Sequence, residues 1–352
     1  MWLWVAFLTI SVFSPATASG QGRPPRRVPS SLPSPGIALG FFESFTYNPG
    51  KPPSNFSAIG GLISQLGHTP AIVQGFYSWK LPDGTYRAFP KDFADYVTGQ
   101  NSTPMITWQP GQCGTDNQVV VGGSQDQTGF SVAAIASGMH DAYIGTWADA
   151  AKAYPHTIYV RLMHEMNDPV YPWSYGVNGN TSIPEFVTAW QHVVGIFHEK
   201  NVTNVQFVWC IGAKFGVQTG VEGFFPGDDY TDWVSIDGYN RDTSGEWETA
   251  QDIFSTNYAL LTKISSRPLM IAETGCVEDP NDPTAKPNWI TDTLLNVFAK
   301  QMPRIKAVLY FNSTGRGYTY PLDSSAASFA AYESVVNSPL YQAAAPAQSL
   351  TY

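Results

Sequence analysis

Eight short apolar segments alternate with amphipathic helical stretches, and polar residues gather at one end of them. Together these observations predict an α/β fold, a single-domain (β/α)8 TIM barrel. The strand candidates are Ile37–Phe42, Ala71–Tyr77, Pro104–Trp108, Ile158–His164, Val205–Trp209, Trp233–Gly238, Leu269–Glu273 and Ala307–Phe311. Each is β-branched or aromatic and apolar on both faces, as parallel strands covered on both sides are. The helical candidates between and after them include Asp141–Ala153, Pro184–Lys200, Ala250–Ile264, Trp289–Gln301 and Ser325–Val336. Pro184 suits a first helical turn, and Thr181 and Ser182 offer capping oxygens. An open doubly wound sheet is the competing arrangement, but no G-x-G-x-x-G follows the first strand.

Composition bounds what such a barrel can do. Of 352 residues, 43% are hydrophobic, 14% aromatic and only 13% charged, with a net charge of −9. A disordered chain is excluded, and a polyanionic partner such as nucleic acid is disfavoured. A neutral, carbohydrate-like or apolar ligand fits better. Residues 1–18, an apolar run ending Ala16-Thr17-Ala18, have the form of a secretory signal peptide. Residues 19–36, rich in Pro, Ser and Arg, read as a linker. The barrel is expected over 37–342 and a tail over 343–352, with no membrane span and a secreted, extracellular product acting as a monomer. Asn55, Asn101, Asn180, Asn201 and Asn312 open N-x-S/T sequons, which accord with a secreted glycoprotein. An oxidising compartment permits one disulfide among Cys113, Cys210 and Cys276, with one thiol left over. No C-x-x-C suggests a zinc site.

In a TIM barrel the reacting groups sit at the C-terminal ends of the strands. The third candidate strand ends in Trp108-Gln109, the fourth in His164-Glu165 with Asn167, the sixth in Asp237-Gly238-Tyr239-Asn240, the seventh in Glu273 and the eighth in Phe311-Asn312. The stretch "VRLMHEMND", Val160 to Asp168, crowds Arg161, His164, Glu165 and Asn167 into an apolar strand. Buried charges are costly unless paired or used. One reading is an ion pair, with Arg161 neutralising Glu165. The other is catalytic: Glu165 and Glu273, on strands four and seven, face each other across the barrel mouth. Two such carboxyls can flank a glycosidic bond, one protonated to donate and one ionised to attack or to activate water.

The segments "RLMHEMND", "YPWSYGVNGNTS", "FVTAWQHVVGIF", "WVSIDGYN" and "IAETG" together resemble glycoside hydrolase family 26, over roughly Gly36 to Asn312. That family contains endo-β-mannanases, with β-1,3-1,4-glucanases and β-1,3-xylanases as minority members, and uses retaining chemistry on a barrel. The resemblance implies that Glu165 is the acid/base and Glu273 the nucleophile. It implies that Arg161 and His164 are polar partners around the sugar and the catalytic pair, and that Tyr239 supplies the hydroxyl that orients the nucleophile. By two-residue alternation Arg161 shares Glu165's face. His164 faces oppositely unless the strand twists or bulges at its end; otherwise it is a core histidine.

Sugar rings stack on aromatic planes. Trp79, Trp108, Trp173, Tyr171 and Trp247 are candidates for that role, Trp173 foremost, and ordinary packing is the alternative. Asn167 completes the expected substrate contacts. Two departures bear on specificity. Asp168-Pro169-Val170 stand where many members have Gly and then Trp, and Gln109 stands where many have Glu. The resemblance implies endo-β-1,4-mannanase activity, and the two departures point to the alternative, β-1,3-1,4-glucanase or β-1,3-xylanase. A non-catalytic sugar-binding barrel would need neither glutamate. A metal-dependent hydrolase would want clustered His and Asp ligands, and none of the six histidines forms H-x-H or H-E-x-x-H. The expected partner is a polysaccharide, with no cofactor, metal, nucleic acid or membrane.

Overall fold

The computed structural model describes residues 36–46, 54–114, 119, 127–214, 216–241 and 247–342. The expected leader, the linker up to residue 35 and the tail at 343–352 lie outside the described residues.

Eight parallel strands close into a barrel: β1 (Ile37–Glu43), β2 (Ile72–Lys80), β3 (Thr103–Gln112), β4 (Ile158–Leu162), β5 (Val205–Gly212), β6 (Trp233–Asn240), β7 (Leu269–Cys276) and β8 (Ile305–Asn312). Each pairs with its neighbour in chain order. β1 closes the ring on β8 in a register running from Ala38 opposite Ala307 to Glu43 opposite Asn312. After β8 comes a small hairpin, β9 (Thr314–Gly315) with β10 (Tyr318–Thr319), and β11 (Tyr341–Gln342) adds beside β1.

Side chains alternate along each strand and build two separate cores. The inner one holds Ala38, Ile72, Met105, Val208, Cys210, Trp233, Met270, Ala272, Ala307 and Leu309. The outer one packs the other strand face, including Ile158, Val160 and Leu162 of β4, beneath the helices. Those helices are α1 (Ser57–Leu66), α2 (Lys91–Gly99), α3 (Val132–Ala136), α4 (Asp141–Lys152), α5 (Ile183–Glu199), α6 (Ala250–Ile264), α7 (Ala285–Asp292) and α8 (Ala326–Val336). Ser182 caps α5 by accepting from the Glu185 N–H, and Thr249 with Asp252 forms a reciprocal capping box on α6. The expected helix Trp289–Gln301 is two pieces, α7 and a wider π-helical stretch over Thr293–Gln301.

Two local departures from regular strand geometry shape the mouth. β4 ends at Leu162, not at His164, because Met163 and Glu165 take left-handed backbone angles, φ 42° and 50°. Such angles are uncommon outside glycine and are characteristic of functional sites. The Glu165 N–H is held by the Cys210 carbonyl at 2.9 Å. In β7, Ile236 pairs with Ile271 but Asp237 pairs with Glu273, so Ala272 is an extra residue in a bulge. The bulge re-aims Glu273 relative to the residues before it.

The three cysteines are all buried and free, so the disulfide that the compartment would permit does not form. Of the sequon asparagines, Asn55, Asn101 and Asn201 are exposed. Asn180 and Asn312 are buried with their amides engaged. No helix among the described residues is long and apolar enough to cross a membrane.

Candidate active site

The inward-facing residues nearest the C-terminal end of the barrel are polar. Gln74 of β2, Thr107 of β3, Arg161 of β4, Asp237 of β6 and Glu273 of β7 are all buried there. Arg161 is the hub. Its Nε donates to Thr107 Oγ1 at 3.0 Å, its Nη1 to Asp237 Oδ2 at 2.5 Å and its Nη2 to Glu273 Oε1. Burial works against the guanidinium charge, but the Asp237 and Glu273 carboxyls outweigh it and raise the Arg161 pKa well above its ordinary value. The alternative of an Arg161–Glu165 ion pair is thereby corrected. The left-handed turn at Met163 breaks the two-residue alternation that would have placed both on one strand face.

Both oxygens of Glu273 are satisfied. Oε1 accepts from Arg161 and from Gln74 Nε2 at 3.2 Å, and Oε2 accepts from the Tyr239 hydroxyl. Burial, and then the charge of Glu273, push the Tyr239 phenol well above its usual value, so it stays a donor.

Glu165 sits in a different environment. It is only 5% exposed, and burial followed by the neighbouring Glu273 charge pushes its pKa up to about 7. Oxygens of Glu165, Asp237 and Glu273 lie within 4.8 Å of one another. An acidic trio this close could hold a cation, and the Arg161 guanidinium already serves that purpose between Asp237 and Glu273. The result is two neighbouring carboxyls in different surroundings: Glu165 is pushed toward its protonated form, while Glu273 accepts from Arg161, Gln74 and Tyr239.

His164 lines the same mouth. Burial, with the charges of Arg161 and Arg316, pushes its pKa well below the usual value and keeps the ring neutral. The ring lies 4.6 Å from Tyr171, 5.6 Å from Trp173 and 6.0 Å from Phe76, centroid to centroid. Its Nδ1 is buried with no hydrogen-bond partner among the described residues.

Of the remaining expected contacts, Trp79, Trp108, Trp173 and Asn167 are corrected. Trp79 and Trp108 are buried in the outer core, because their alternation points them away from the barrel axis. They pack 4.9 Å apart, and Trp108 stacks on Trp147 at 4.5 Å. Trp173 is also fully buried: its Nε1 donates to the His164 carbonyl at 2.8 Å and its ring underlies Tyr171 at 4.8 Å. None of the three offers a face to a sugar. Asn167 is a structural clamp. Its Oδ1 accepts from the Gly212 N–H at 2.9 Å, and its Nδ2 donates to the Gly212 carbonyl at 2.9 Å and the Val217 carbonyl at 3.3 Å. Gly216 lies so close to Asn167 that a Cβ there would meet its carbonyl oxygen at 1.8 Å. Trp247 is half-buried against the outer core.

Several site residues escaped sequence reasoning. Gln74 was not singled out, and Asp237 was read as a polar strand end without its pairing to Arg161. An apolar wall at the mouth comes from Phe42, Phe76 and Phe311, with Phe42 centred 4.9 Å from each of the other two. Arg316, from the hairpin after β8, reaches back to Asp168, Glu165 and Tyr171.

Known proteins resemble this chain at several levels. The family model for glycosyl hydrolase family 26 matches residues 126–280, which hold Arg161, Glu165, Asp237, Tyr239 and Glu273. Endoglucanase H of Acetivibrio thermocellus is 30% identical over 293 residues, 82% of this chain. The chain spans only 29% of that relative's length. Among solved structures, a family 26 β-mannanase from Bacteroides ovatus superposes with a TM-score of 0.61 at 17% identity, covering 88% of this chain and 90% of that one. A modular endo-β-1,4-mannanase from Cellulomonas fimi does so with a TM-score of 0.59 at 18% identity, covering 89% and 76%. At these identities the superpositions speak for the barrel fold, and the family match extends through the strands carrying the two glutamates. Over residues 126–280, the part that carries both glutamates, the chain is a match to glycosyl hydrolase family 26, the family its sequence resembles.

Proposed function

We propose that this protein is a secreted, retaining endo-glycoside hydrolase that cleaves internal β-glycosidic bonds, with Glu165 as acid/base and Glu273 as nucleophile. The observation that carries the reading is the carboxyl pair at the ends of β4 and β7, with oxygens within 4.8 Å. Carboxyls ~5–5.5 Å apart go with retention, and those ~6.5–9.5 Å apart leave room for a water and go with inversion.

In the first step Glu165 gives its proton to the leaving oxygen as the Glu273 carboxylate attacks the anomeric carbon and the glycosidic C–O bond breaks. Arg161, Gln74 and Tyr239 fix the Glu273 oxygens for that attack. In the second step the Glu165 carboxylate takes a proton from water. That water attacks the anomeric carbon and expels Glu273. The wall of Phe42, Phe76 and Phe311 offers apolar surface to the sugar.

The substrate follows from two different signals. The relative that is 30% identical over most of this chain is an endoglucanase, which favours a β-glucan. The change to Asp168-Pro169-Val170 beside Glu165 accords with a departure from mannan. A β-1,4-mannan is the second reading, favoured by the family resemblance. The extracellular placement rests on the leader-like residues 1–18 and on the exposed Asn55, Asn101 and Asn201. The catalytic unit is residues 37–342, acting as a monomer.

The test is a panel of mixed-linkage glucan, mannan, galactomannan and β-1,3-xylan, with product sizes followed over time, for the wild type and for Glu165→Gln and Glu273→Gln. Hydrolysis to long oligomers by the wild type, lost in both folded variants, is expected. Near-normal turnover in either variant contradicts the assignment. Faster release from mannan than from glucan selects the second substrate.

A further inference from the structure

The hairpin after β8 carries Arg316 at its tip, with φ 51°. Its Nη1 donates to Asp168 Oδ2 at 2.5 Å, while its Nη2 donates to Glu165 Oε2 at 3.4 Å and to the Tyr171 hydroxyl at 3.2 Å. The guanidinium carbon lies 5.6 Å from the Tyr171 ring centre. One cation therefore touches two carboxyls three positions apart in the β4 loop, and it holds Asp168 more closely. Asp168 is the residue that replaces the Gly of many family members.

We propose that Asp168 and Arg316 are positioning residues for Glu165: Arg316 rests on Asp168 while Glu165 carries its proton, and shifts toward Glu165 once that proton has gone to the leaving group. The proposal rests on the retaining reading for its place in the reaction, but its charge logic is a property of the free protein. A planar guanidinium can bridge two carboxylates, one to each edge. While Glu165 is neutral, Asp168 is the stronger acceptor, and the 2.5 Å and 3.4 Å contacts are ordered that way. When Glu165 ionises, the two compete on equal terms.

The groups facing Glu165 leave this task to Arg316. Glu273 of β7 brings negative charge, burial pushes the Asp237 carboxyl of β6 well above its usual value, and Arg161 of β4, which also favours ionised Glu165, is ion-paired to those two. Tyr239 is a neutral phenol and His164 a neutral ring. Tyr171 holds its proton well above the usual range, by burial and then by the charge of Glu165. Among the described residues Arg316 is the cation paired with Glu165 itself. Its charge lowers the Glu165 pKa and that of Asp168 raises it, so the pair sets a balance between the acid step and the base step.

The balance predicts opposite signs for two substitutions. Asp168→Asn removes a negative neighbour and frees Arg316 for Glu165, so Glu165 loses its proton at lower pH. Arg316→Met removes the cation, so Glu165 keeps its proton to higher pH. Each midpoint is expected to move by about half a pH unit or more, the size of one partly screened charge a few ångströms away. The double variant falls between them, and Arg316→Lys lies nearer the wild type than Arg316→Met. The measurement is carbon NMR of the full chain labelled at the glutamate carboxyls, with the Glu165 signal identified by its loss in Glu165→Gln. The basic limb of kcat/KM against pH follows the same signs. Shifts in one common direction, or none in either single variant, overturn the proposal. If Arg316→Met does not fold, the downward shift in Asp168→Asn still decides. Titration needs no substrate, so opposite shifts in a protein that hydrolyses no polysaccharide would retire the retaining reading and leave the charge pair standing. Hydrolysis lost in Glu165→Gln without opposite shifts would do the reverse.

Discussion

Glu165→Gln should stabilise this protein at alkaline pH while abolishing its activity. The substitution keeps the side chain's shape and removes its ionisation. Glu165 has its pKa pushed up to about 7 from an ordinary value of 4.5, by burial first and by the Glu273 charge second. The folded state thus binds this proton more tightly than the unfolded chain does. Below the unfolded value the group is neutral in both states and costs nothing. As pH rises from 4.5 to about 7 the unfolded chain gains by ionising and the folded one does not, and above that range the full penalty remains. At ~1.36 kcal/mol per pH unit the penalty is about 3 kcal/mol. Calorimetric melting of both proteins should therefore show a gain of roughly 6 °C for the variant near pH 8.5, at about 2 °C per kcal/mol. Near pH 4.5 the gain should shrink to less than about 1 kcal/mol. An equal gain at both pH values, or a larger one in acid, would refute the ionisation argument. Retained hydrolysis would refute the role of Glu165.

Two further outcomes follow from the packing. Arg161→Met leaves Asp237 and Glu273 buried without their cation and should cost ~3–5 kcal/mol in denaturant unfolding; a loss below about 1 kcal/mol would show that the pair is not electrostatically held. Trp173→Ala removes the buried ring beneath Tyr171 and should cost about 3–5 kcal/mol of stability, with catalysis reduced because Tyr171 and His164 lose their backing. A variant of wild-type stability with weaker substrate binding alone would return Trp173 to the role of a sugar platform.

The strands were legible because each is an apolar run bounded by polar residues. That same uniformity hid which residues face the axis. A strand covered on both sides shows no contrast between its faces, so Trp79 and Trp108 looked equivalent to mouth residues although both point into the outer core. Glu165 and Glu273 stood out as charges at strand exits, yet the devices that aim them did not. Nothing about Met163 or Glu165 announces a left-handed angle, and the bulge at Ala272 appears only when β6 and β7 are paired. Arg316 pairs with Asp168 across 148 positions, a contact that no local pattern encodes. Asp168 itself was visible as a departure from the family, and its arginine partner supplies the physical reason.

The most direct test of the central claim is the stereochemistry of the first product. Proton NMR of newly released reducing ends, taken before mutarotation, reports which anomer the enzyme forms. Retention through Glu273 predicts that the β-anomer appears first from a β-linked polysaccharide and that the α-anomer grows in later. First appearance of the α-anomer would contradict the account, because it would require water, rather than Glu273, to attack the anomeric carbon.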